Sequence, residues 1–321
     1  MTDVLTLDDL RITYHTAGGG VPAVQGVDMT VRKGEVVGLA GESGCGKSTI
    51  AAAVLRLLPP KTKIEGSIVL DGEDITDMKP GRLRAVRWTG ASIVFQGAMH
   101  ALNPVKRIGD QIAEAIIVHQ QAGEKEARVR VGALLEQVGL PTRRMKDYPH
   151  ELSGGQKQRV MIAMALACSP SLIIADEPTT ALDVMVQAQV LKVLQGLVSD
   201  LDVGLLMISH DLSVLADLCD RIAVMYAGRV VEHGPADKVF ADPLHPYAGA
   251  LSASFPRIGD VAARYAPSGL PGDPPDPAEL PSGCSFHPRC PKRFDDCDTV
   301  VPELRSDGTG RAAACLLVEP R

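Results

Sequence analysis

The sequence has few aromatic residues and no long uninterrupted apolar run. Aromatic residues make up 3 % of the 321 residues, so an aromatic side chain beside a candidate site is informative. No apolar run approaches the ~20 residues that a helix needs to cross a bilayer. The first residues alternate and are acidic, which is not typical of a signal peptide or a lipidation site. We therefore expect a cytosolic protein that reaches a membrane only through partners.

The sequence also lacks an excess of basic charge. It has 33 Lys and Arg against 39 Asp and Glu, for a net charge of −6. Nucleic-acid binding requires concentrated Lys and Arg, and the short charged segment 124–130 mixes both signs, as a solvated helix face does. We expect no nucleic-acid partner.

The apolar pattern predicts an α/β protein without internal repeats. Alternation in residues 5–15 and 24–31 predicts strands of an antiparallel layer, and residues 35–40 predict a buried strand. A helical pattern follows from about residue 107 to 140 and indicates an inserted helical subdomain. Composition changes after about residue 241, where proline becomes frequent and periodicity weak.

The segment GESGCGKS, Gly41–Ser48, fits the pattern G-x-x-x-x-G-K-[ST] between a predicted strand and a predicted helix. Glycines let backbone N–H groups turn toward phosphates, Lys47 can reach the β- and γ-phosphates, and Ser48 can bind Mg²⁺. The sequence therefore predicts a site for ATP and Mg²⁺. Its candidate nucleotide-binding residues are Gly41, Ser43, Gly44, Cys45, Gly46, Lys47, Ser48 and Thr49.

Two carboxylates, Asp176 and Glu177, follow the apolar strand LIIA. A carboxylate at the end of a buried strand lies beside the phosphate-binding loop in sheets of this kind. We expect Asp176 to hold Mg²⁺ through water and Glu177 to orient and polarise the attacking water.

The segment LSGGQ, Leu152–Gln156, lies between these two motifs. With them it resembles the ATP-binding subunits of ABC transporters over nearly the whole chain. The resemblance implies that Ser153, Gly154, Gly155 and Gln156 form a signature that caps the γ-phosphate of an ATP bound to a second subunit. A helix beginning at Ser153 would make such an anion site.

The same resemblance assigns roles to four further residues. Tyr14 would stack on adenine, and Gln96, at the end of SIVFQ, would sense Mg²⁺ and the attacking water. Asp183 would belong to the D-loop, and His210 would contact the γ-phosphate. The fold it implies is a P-loop ABC ATPase core over residues 1–240, with a helical subdomain at about 97–168. A small Cys-rich extension would occupy residues 241–321.

Three segments narrow the resemblance to the peptide-importer branch: FQGAMHALNPV, HPYAGAL and GCSFHPRCPKRFDDC. This implies uptake of di- or oligopeptides. The implied partners are a second, homologous ATPase in a heterodimer, two transmembrane permease subunits and an extracytoplasmic substrate-binding protein. The implied location is the cytoplasmic face of the inner membrane. Importers of nickel or another small solute share these features, and a soluble ABC ATPase outside transport is the alternative.

Four cysteines, Cys284, Cys290, Cys297 and Cys315, crowd into the C-terminal part. Their spacing is unlike that of common zinc ribbons or ferredoxins, and by itself leaves Zn²⁺, a [4Fe–4S] cluster and free thiols open. The resemblance favours a structural [4Fe–4S] cluster bound by these four residues.

Overall fold

The computed structural model describes residues 2–95, 97, 101–120, 122–180, 182–254 and 269–318. The chain divides into two compact units. The first unit contains residues 1–6, 30–36 and 69–206, and the second contains residues 7–29, 37–68 and 207–321. Across the described ranges, every helix is too short or too polar to cross a membrane.

Twelve strands and nine helices are found in the described part of the chain. The strands are β1 (Asp3–Thr16), β2 (Gly19–Arg32), β3 (Val36–Ala40), β4 (Lys63–Leu70), β5 (Glu73–Asp74), β6 (Ala91–Val94), β7 (Leu172–Asp176), β8 (Gly204–Ser209), β9 (Arg221–Tyr226), β10 (Arg229–Pro235), β11 (Arg305–Ser306) and β12 (Ala312–Ala313). The helices are α1 (Lys47–Val54), α2 (Pro80–Val86), α3 (Ile108–Gln120), α4 (Glu124–Gln137), α5 (Gly154–Ala165), α6 (Val184–Leu201), α7 (Leu212–Leu218), α8 (Ala236–Ala241) and α9 (Pro246–Ser254).

Most of β3 lies in the second unit, and the strand leads directly into the segment 41–48. It pairs in parallel with β9, and all five of its residues are buried. Strand β9 then forms an antiparallel hairpin with β10, which pairs with β12, and β12 with β11. The hairpin turns at Ala227 and Gly228, both of which have positive φ. Most residues of β2, β1 and β4 also lie in this unit, and these strands are neighbours in that order.

In the first unit, the parallel strands β6 and β7 pair directly. All five residues of β7 are buried, which explains its continuous apolar sequence. The helical pattern after residue 107 forms two helices, α3 and α4, with Gly123 preceding the second. The boundary at residue 240 and the limits of the helical subdomain stay predictions.

Helix α1 is shorter than its apolar pattern suggests. The pattern continues to Leu58, but the helix ends at Val54 and Arg56 adopts a left-handed conformation with φ 50°. Such a φ is incompatible with continuing a right-handed helix. The chain therefore leaves the helix before Pro59 rather than at it.

Candidate nucleotide site

The phosphate-binding loop (Gly41–Ser48) depends on glycines in conformations that other residues avoid. Gly41, Gly44 and Gly46 have φ values of 149°, 82° and 110°. A Cβ atom at Gly41 would collide with the carbonyl oxygen of Met225, and one at Gly46 with that of Ala23. Neighbouring backbone fills the space on that side, so only glycine permits this path. The loop is thus a cradle of the kind that turns N–H groups toward phosphates.

Lys47 is the first residue of α1 and is 5 % exposed. Its Nζ donates hydrogen bonds to the carbonyl oxygens of Gly41 (2.7 Å) and Glu42 (2.8 Å), which holds the amine inside the loop. Cys45 is buried, its Sγ lies 3.6 Å from Lys47 Nζ, and burial raises the pKa of its thiol. Lys47 and the glycine cradle fit a triphosphate, because the cradle supplies N–H donors and Lys47 supplies the positive charge.

Tyr14 contacts the helix that follows the phosphate-binding loop. Its hydroxyl donates a hydrogen bond to Oγ1 of Thr49, 3.2 Å away, in the first turn of α1. The structure therefore brings together Tyr14 and Thr49, two of the residues expected to bind nucleotide. The adenine-stacking role of Tyr14 stays a prediction.

In the first unit, two carboxylates end β7. Asp176 is 7 % exposed. Glu177 follows it with φ 45°, a left-handed conformation that is uncommon for a residue with a side chain and is typical of functional sites. The hydroxyl of Thr180 donates to Glu177 Oε2 at 2.9 Å, and the Thr180 N–H donates to the Glu177 carbonyl at 3.2 Å. Thr180 thus orients the expected catalytic carboxylate, a role that no sequence motif revealed.

The signature loop (Leu152–Gln156) begins α5 as predicted. Ser153 is the N-cap: its Oγ accepts from the Gln156 N–H at 3.4 Å, and Gln156 Oε1 accepts from the Ser153 N–H at 3.0 Å. The two residues form a reciprocal capping box. Ser153 is exposed at this helix N-terminus, and its contact with a nucleotide on another chain stays a prediction.

Val186 contacts both the expected D-loop residue, Asp183, and the signature loop. Asp183 is the N-cap of α6 and accepts from the Val186 N–H at 3.0 Å. The Val186 side chain lies directly against Gly155, where any Cβ would overlap with it. Gly155 therefore serves helix packing, which the sequence pattern did not show.

The remaining expected residues are placed separately. His210 is exposed and follows β8 directly. The next residue, Asp211, caps α7 by accepting from the N–H groups of Ser213 (2.9 Å) and Val214 (3.2 Å), which fixes where His210 leaves the strand. Gln96 lies outside the described residues. The roles of both stay predictions.

The expectation of a [4Fe–4S] cluster is wrong. Cys284, Cys290, Cys297 and Cys315 do line one small cavity, of about 10 Å³. However, the described part of the chain contains no group of three or more His, Cys, Asp or Glu side chains that could hold a metal ion. Burial raises the pKa of the Cys284, Cys290 and Cys315 thiols, which favours the protonated form over the thiolate that binds metals. These cysteines are free thiols in a packed segment.

The HPYAGAL segment has a structural basis that its sequence did not reveal. Glu232 on β10 is fully buried and accepts from the N–H groups of Leu244 (2.9 Å) and His245 (2.7 Å), just before α9 begins. His245 Nδ1 accepts from the Tyr247 N–H at 3.0 Å. Burial raises the pKa of Glu232 to about 7 and lowers the pKa of His245 to about 4.

These loops, carried on an α/β scaffold, are those of a P-loop ATPase. Residues 24–180 match the family described as ABC transporter. Residues 231–297 match the family described as oligopeptide/dipeptide transporter, C-terminal region. The chain belongs to the ABC transporter family.

Its relatives are named for peptide transport. The chain is 44 % identical over 314 residues to the oligopeptide transport ATP-binding protein OppD of Salmonella typhimurium, covering 97 % of this chain and 93 % of that protein. It is 43 % identical over 313 residues to the dipeptide transport ATP-binding protein DppD of Bacillus subtilis, covering 96 % and 93 %. The dimeric structure of MJ0796, a bacterial ABC transporter cassette, is 29 % identical with a TM-score of 0.65, covering 72 % of this chain and 98 % of that chain.

These comparisons correct two expectations. The names of the relatives describe ATP-binding proteins and mention no iron–sulfur group, in agreement with the thiols above. The expected heterodimer is likewise unsupported. The name of each relative describes one ATP-binding protein and mentions no second ATPase. The similar solved structure is described as a dimeric structure of the cassette MJ0796.

Proposed function

We propose that this chain is the ATP-hydrolysing subunit of an importer for di- or oligopeptides. The observation that carries the proposal is one chain with two family matches: an ATPase cassette bearing the glycine cradle and Lys47, and a C-terminal region of the oligopeptide/dipeptide transporter type. The first supports ATP hydrolysis, and the second supports peptides as the transported class.

At the phosphate-binding loop, the N–H groups and Lys47 would bind the β- and γ-phosphates. Ser48 and Asp176 supply the oxygen donors that Mg²⁺ prefers, and the ion when bound neutralises charge on the phosphates. Glu177, held by Thr180, would take a proton from the attacking water. Gln96 and His210 would orient the water and the γ-phosphate.

The signature loop would act on a nucleotide bound to another cassette. Ser153 is exposed at a helix N-terminus, where the helix dipole and N–H groups favour an anion. We propose that two cassettes close around ATP through these loops and open after hydrolysis, because the shared γ-phosphate contact is then lost. Asp183, at the start of α6, would lie in the same closed interface.

The pair of cassettes would act beneath two transmembrane permease subunits, with an extracytoplasmic binding protein that delivers the peptide. The chain would then lie at the cytoplasmic face of the inner membrane, attached through the permease subunits. The Cys-rich C-terminal part would be an extension of the cassette without metal. The names of the relatives support a peptide importer, and the energy source would be ATP.

Peptide uptake by cells in which the gene for this chain has been deleted tests the proposal. The wild-type chain should restore uptake of labelled di- and tripeptides, and Glu177→Gln should bind ATP but reduce hydrolysis and uptake by at least about 100-fold. Expression of each variant and ATP binding to it are measured in parallel. Restored nickel uptake without peptide uptake would assign the chain to another solute. Uptake that Glu177→Gln supports normally would refute the catalytic role.

A further inference from the structure

The second residue of the phosphate-binding loop forms an ion pair with the C-terminal part of the chain. Arg289 Nη1 donates to Glu42 Oε2 at 2.7 Å and Nη2 donates to Oε1 at 2.9 Å. The Arg289 side chain is 7 % exposed and that of Glu42 is 22 % exposed. Two parallel charge-assisted hydrogen bonds fix both distance and orientation, and at this burial they are screened little by solvent.

Glu42 is held through its backbone as well. Its N–H donates to the hydroxyl of Tyr247 at 2.9 Å, and its carbonyl oxygen accepts from Lys47 Nζ at 2.8 Å. One residue of the loop is therefore fixed at three points. Two of these points, Tyr247 and Arg289, lie beyond residue 240, and the third is the lysine expected to bind phosphate.

Arg289 is itself fixed by its surroundings. Its Nε donates to the Pro271 carbonyl oxygen at 2.9 Å, and its guanidinium lies 5.9 Å from the centre of the Tyr226 ring. The hydrogen bonds to Glu42 raise the pKa of Arg289, so its guanidinium stays charged at any physiological pH. Residues 42–45 of the loop and 274–277 of the C-terminal part also line a common cavity of about 320 Å³.

We propose that Arg289 is a positioning residue for ATP, through which the C-terminal part of the chain sets the affinity of the phosphate-binding loop. The inference rests on the proposed nucleotide site. Arg289 acts in two ways. It holds Glu42, and with it the carbonyl that receives Lys47, in one position. It also neutralises a carboxylate that would otherwise repel the phosphates from within the loop.

Four full-length variants separate these effects from a general structural role: Arg289→Gln, Arg289→Lys, Glu42→Gln and the double Glu42→Gln, Arg289→Gln. Arg293→Gln is the matched control, since it removes an ion pair to Asp298 (2.6 Å) in the same segment that does not reach the loop. The measurement is the Kd for a fluorescent anthraniloyl ATP with Mg²⁺, together with the thermal unfolding midpoint of each variant.

Arg289→Gln should weaken binding by on the order of tenfold, within the usual range of coupling between sites. The Kd of Arg289→Lys should lie between those of Arg289→Gln and wild type, because lysine keeps the charge but not the bidentate geometry. Adding Glu42→Gln to Arg289→Gln should restore affinity to that of Glu42→Gln alone, since the repelling carboxylate is gone. Arg293→Gln should bind as wild type does.

An unchanged Kd for Arg289→Gln overturns the inference, as does a double variant whose loss is the product of the two single losses. If Arg289→Gln does not fold, the comparison of Glu42→Gln with the double variant decides, and a weaker double variant overturns the inference. Failure of the wild-type chain to bind the probe any better than Lys47→Ala would instead count against the proposed nucleotide site.

Discussion

The phosphate-binding loop and the signature loop both lead into a helix, but the two helix starts are closed in different ways. No side chain caps α1 at Gly46, whereas α5 carries a reciprocal capping box between Ser153 and Gln156. The first loop relies on glycines of positive φ and on contacts from distant residues such as Arg289. The second is closed by a capping box between residues three positions apart, although Gly155 within it also packs against Val186.

This difference matches the chemistry proposed for each loop. A helix start without a side-chain cap leaves its first N–H groups for a ligand, so its shape must be held from outside the loop. A capped helix start satisfies N–H groups with its own side chains and presents a preformed surface to another chain. The contrast predicts that substitutions in the C-terminal part of the chain change ligand binding at the first loop. The second loop should respond mainly to substitutions of its own residues.

The largest expected effect is at the phosphate-binding loop. Lys47→Ala should raise the Kd for ATP by on the order of 100-fold, because charge-assisted hydrogen bonds are worth about 1.5–3 kcal/mol each. The buried amine also holds two loop carbonyls, so the variant should unfold at a lower temperature. Binding is measured by titration of the purified chain. Lys157→Ala, which removes a lysine outside both loops, serves as the control and should bind normally.

A change at the signature loop should leave that binding intact. Ser153→Arg should not alter the Kd for ATP of the isolated chain but should lower turnover of the assembled transporter by on the order of tenfold or more, since it blocks a donor to the partner-bound phosphate. Ser153→Asp separates this from loss of the cap, because Asp is an equally good N-cap but repels phosphate. Normal turnover by both variants would contradict the cross-chain role.

Sequence motifs predicted the two loops, but not the contacts that hold the catalytic and phosphate-binding residues in place. The phosphate-binding loop, the signature and the end of β7 follow from local patterns, because each depends on residues adjacent in the chain. Thr180, Glu42 and Arg289 could not be found that way. The Glu42–Arg289 contact joins residues 247 positions apart, and no periodicity encodes such a pair. The expected cluster failed for a related reason: cysteine spacing does not show burial, and burial here favours thiols.

Gly155 tests whether the signature loop is also held by packing. Gly155→Ala should lower the free energy of unfolding by about 1–3 kcal/mol, because the added methyl overlaps with Val186. Denaturant unfolding of the purified chain measures the loss. Val186→Ala in the same chain should recover part of it by removing the opposing methyl groups. Equal stability of Gly155→Ala and wild type would show that the two helices separate freely.

The smallest expected effect is a pH dependence in the C-terminal part that supports the phosphate-binding loop. Burial raises the pKa of Glu232 from 4.5 to about 7, so the folded chain binds the extra proton and acidification from pH 7 to 5 is stabilising through this group. Burial lowers the pKa of His245 from 6.5 to about 4, so the unfolded chain binds the extra proton and the same acidification is destabilising. Arg311 and Asp242 also act on Glu232, with opposite signs.

Because these two contributions oppose each other, their sum in the wild-type chain should vary little between pH 7 and 5. Glu232→Gln should remove the stabilising contribution and leave that of His245 unopposed. The variant should therefore lose about 1–2 kcal/mol of unfolding free energy between pH 7 and 5. His245→Gln should gain a similar amount. Urea unfolding at both pH values measures the change in unfolding free energy with pH for each variant. A loss of stability that is the same at both pH values does not affect this slope. Parallel slopes for the two variants would mean that the groups titrate alike when folded and unfolded, and that burial does not set their protonation.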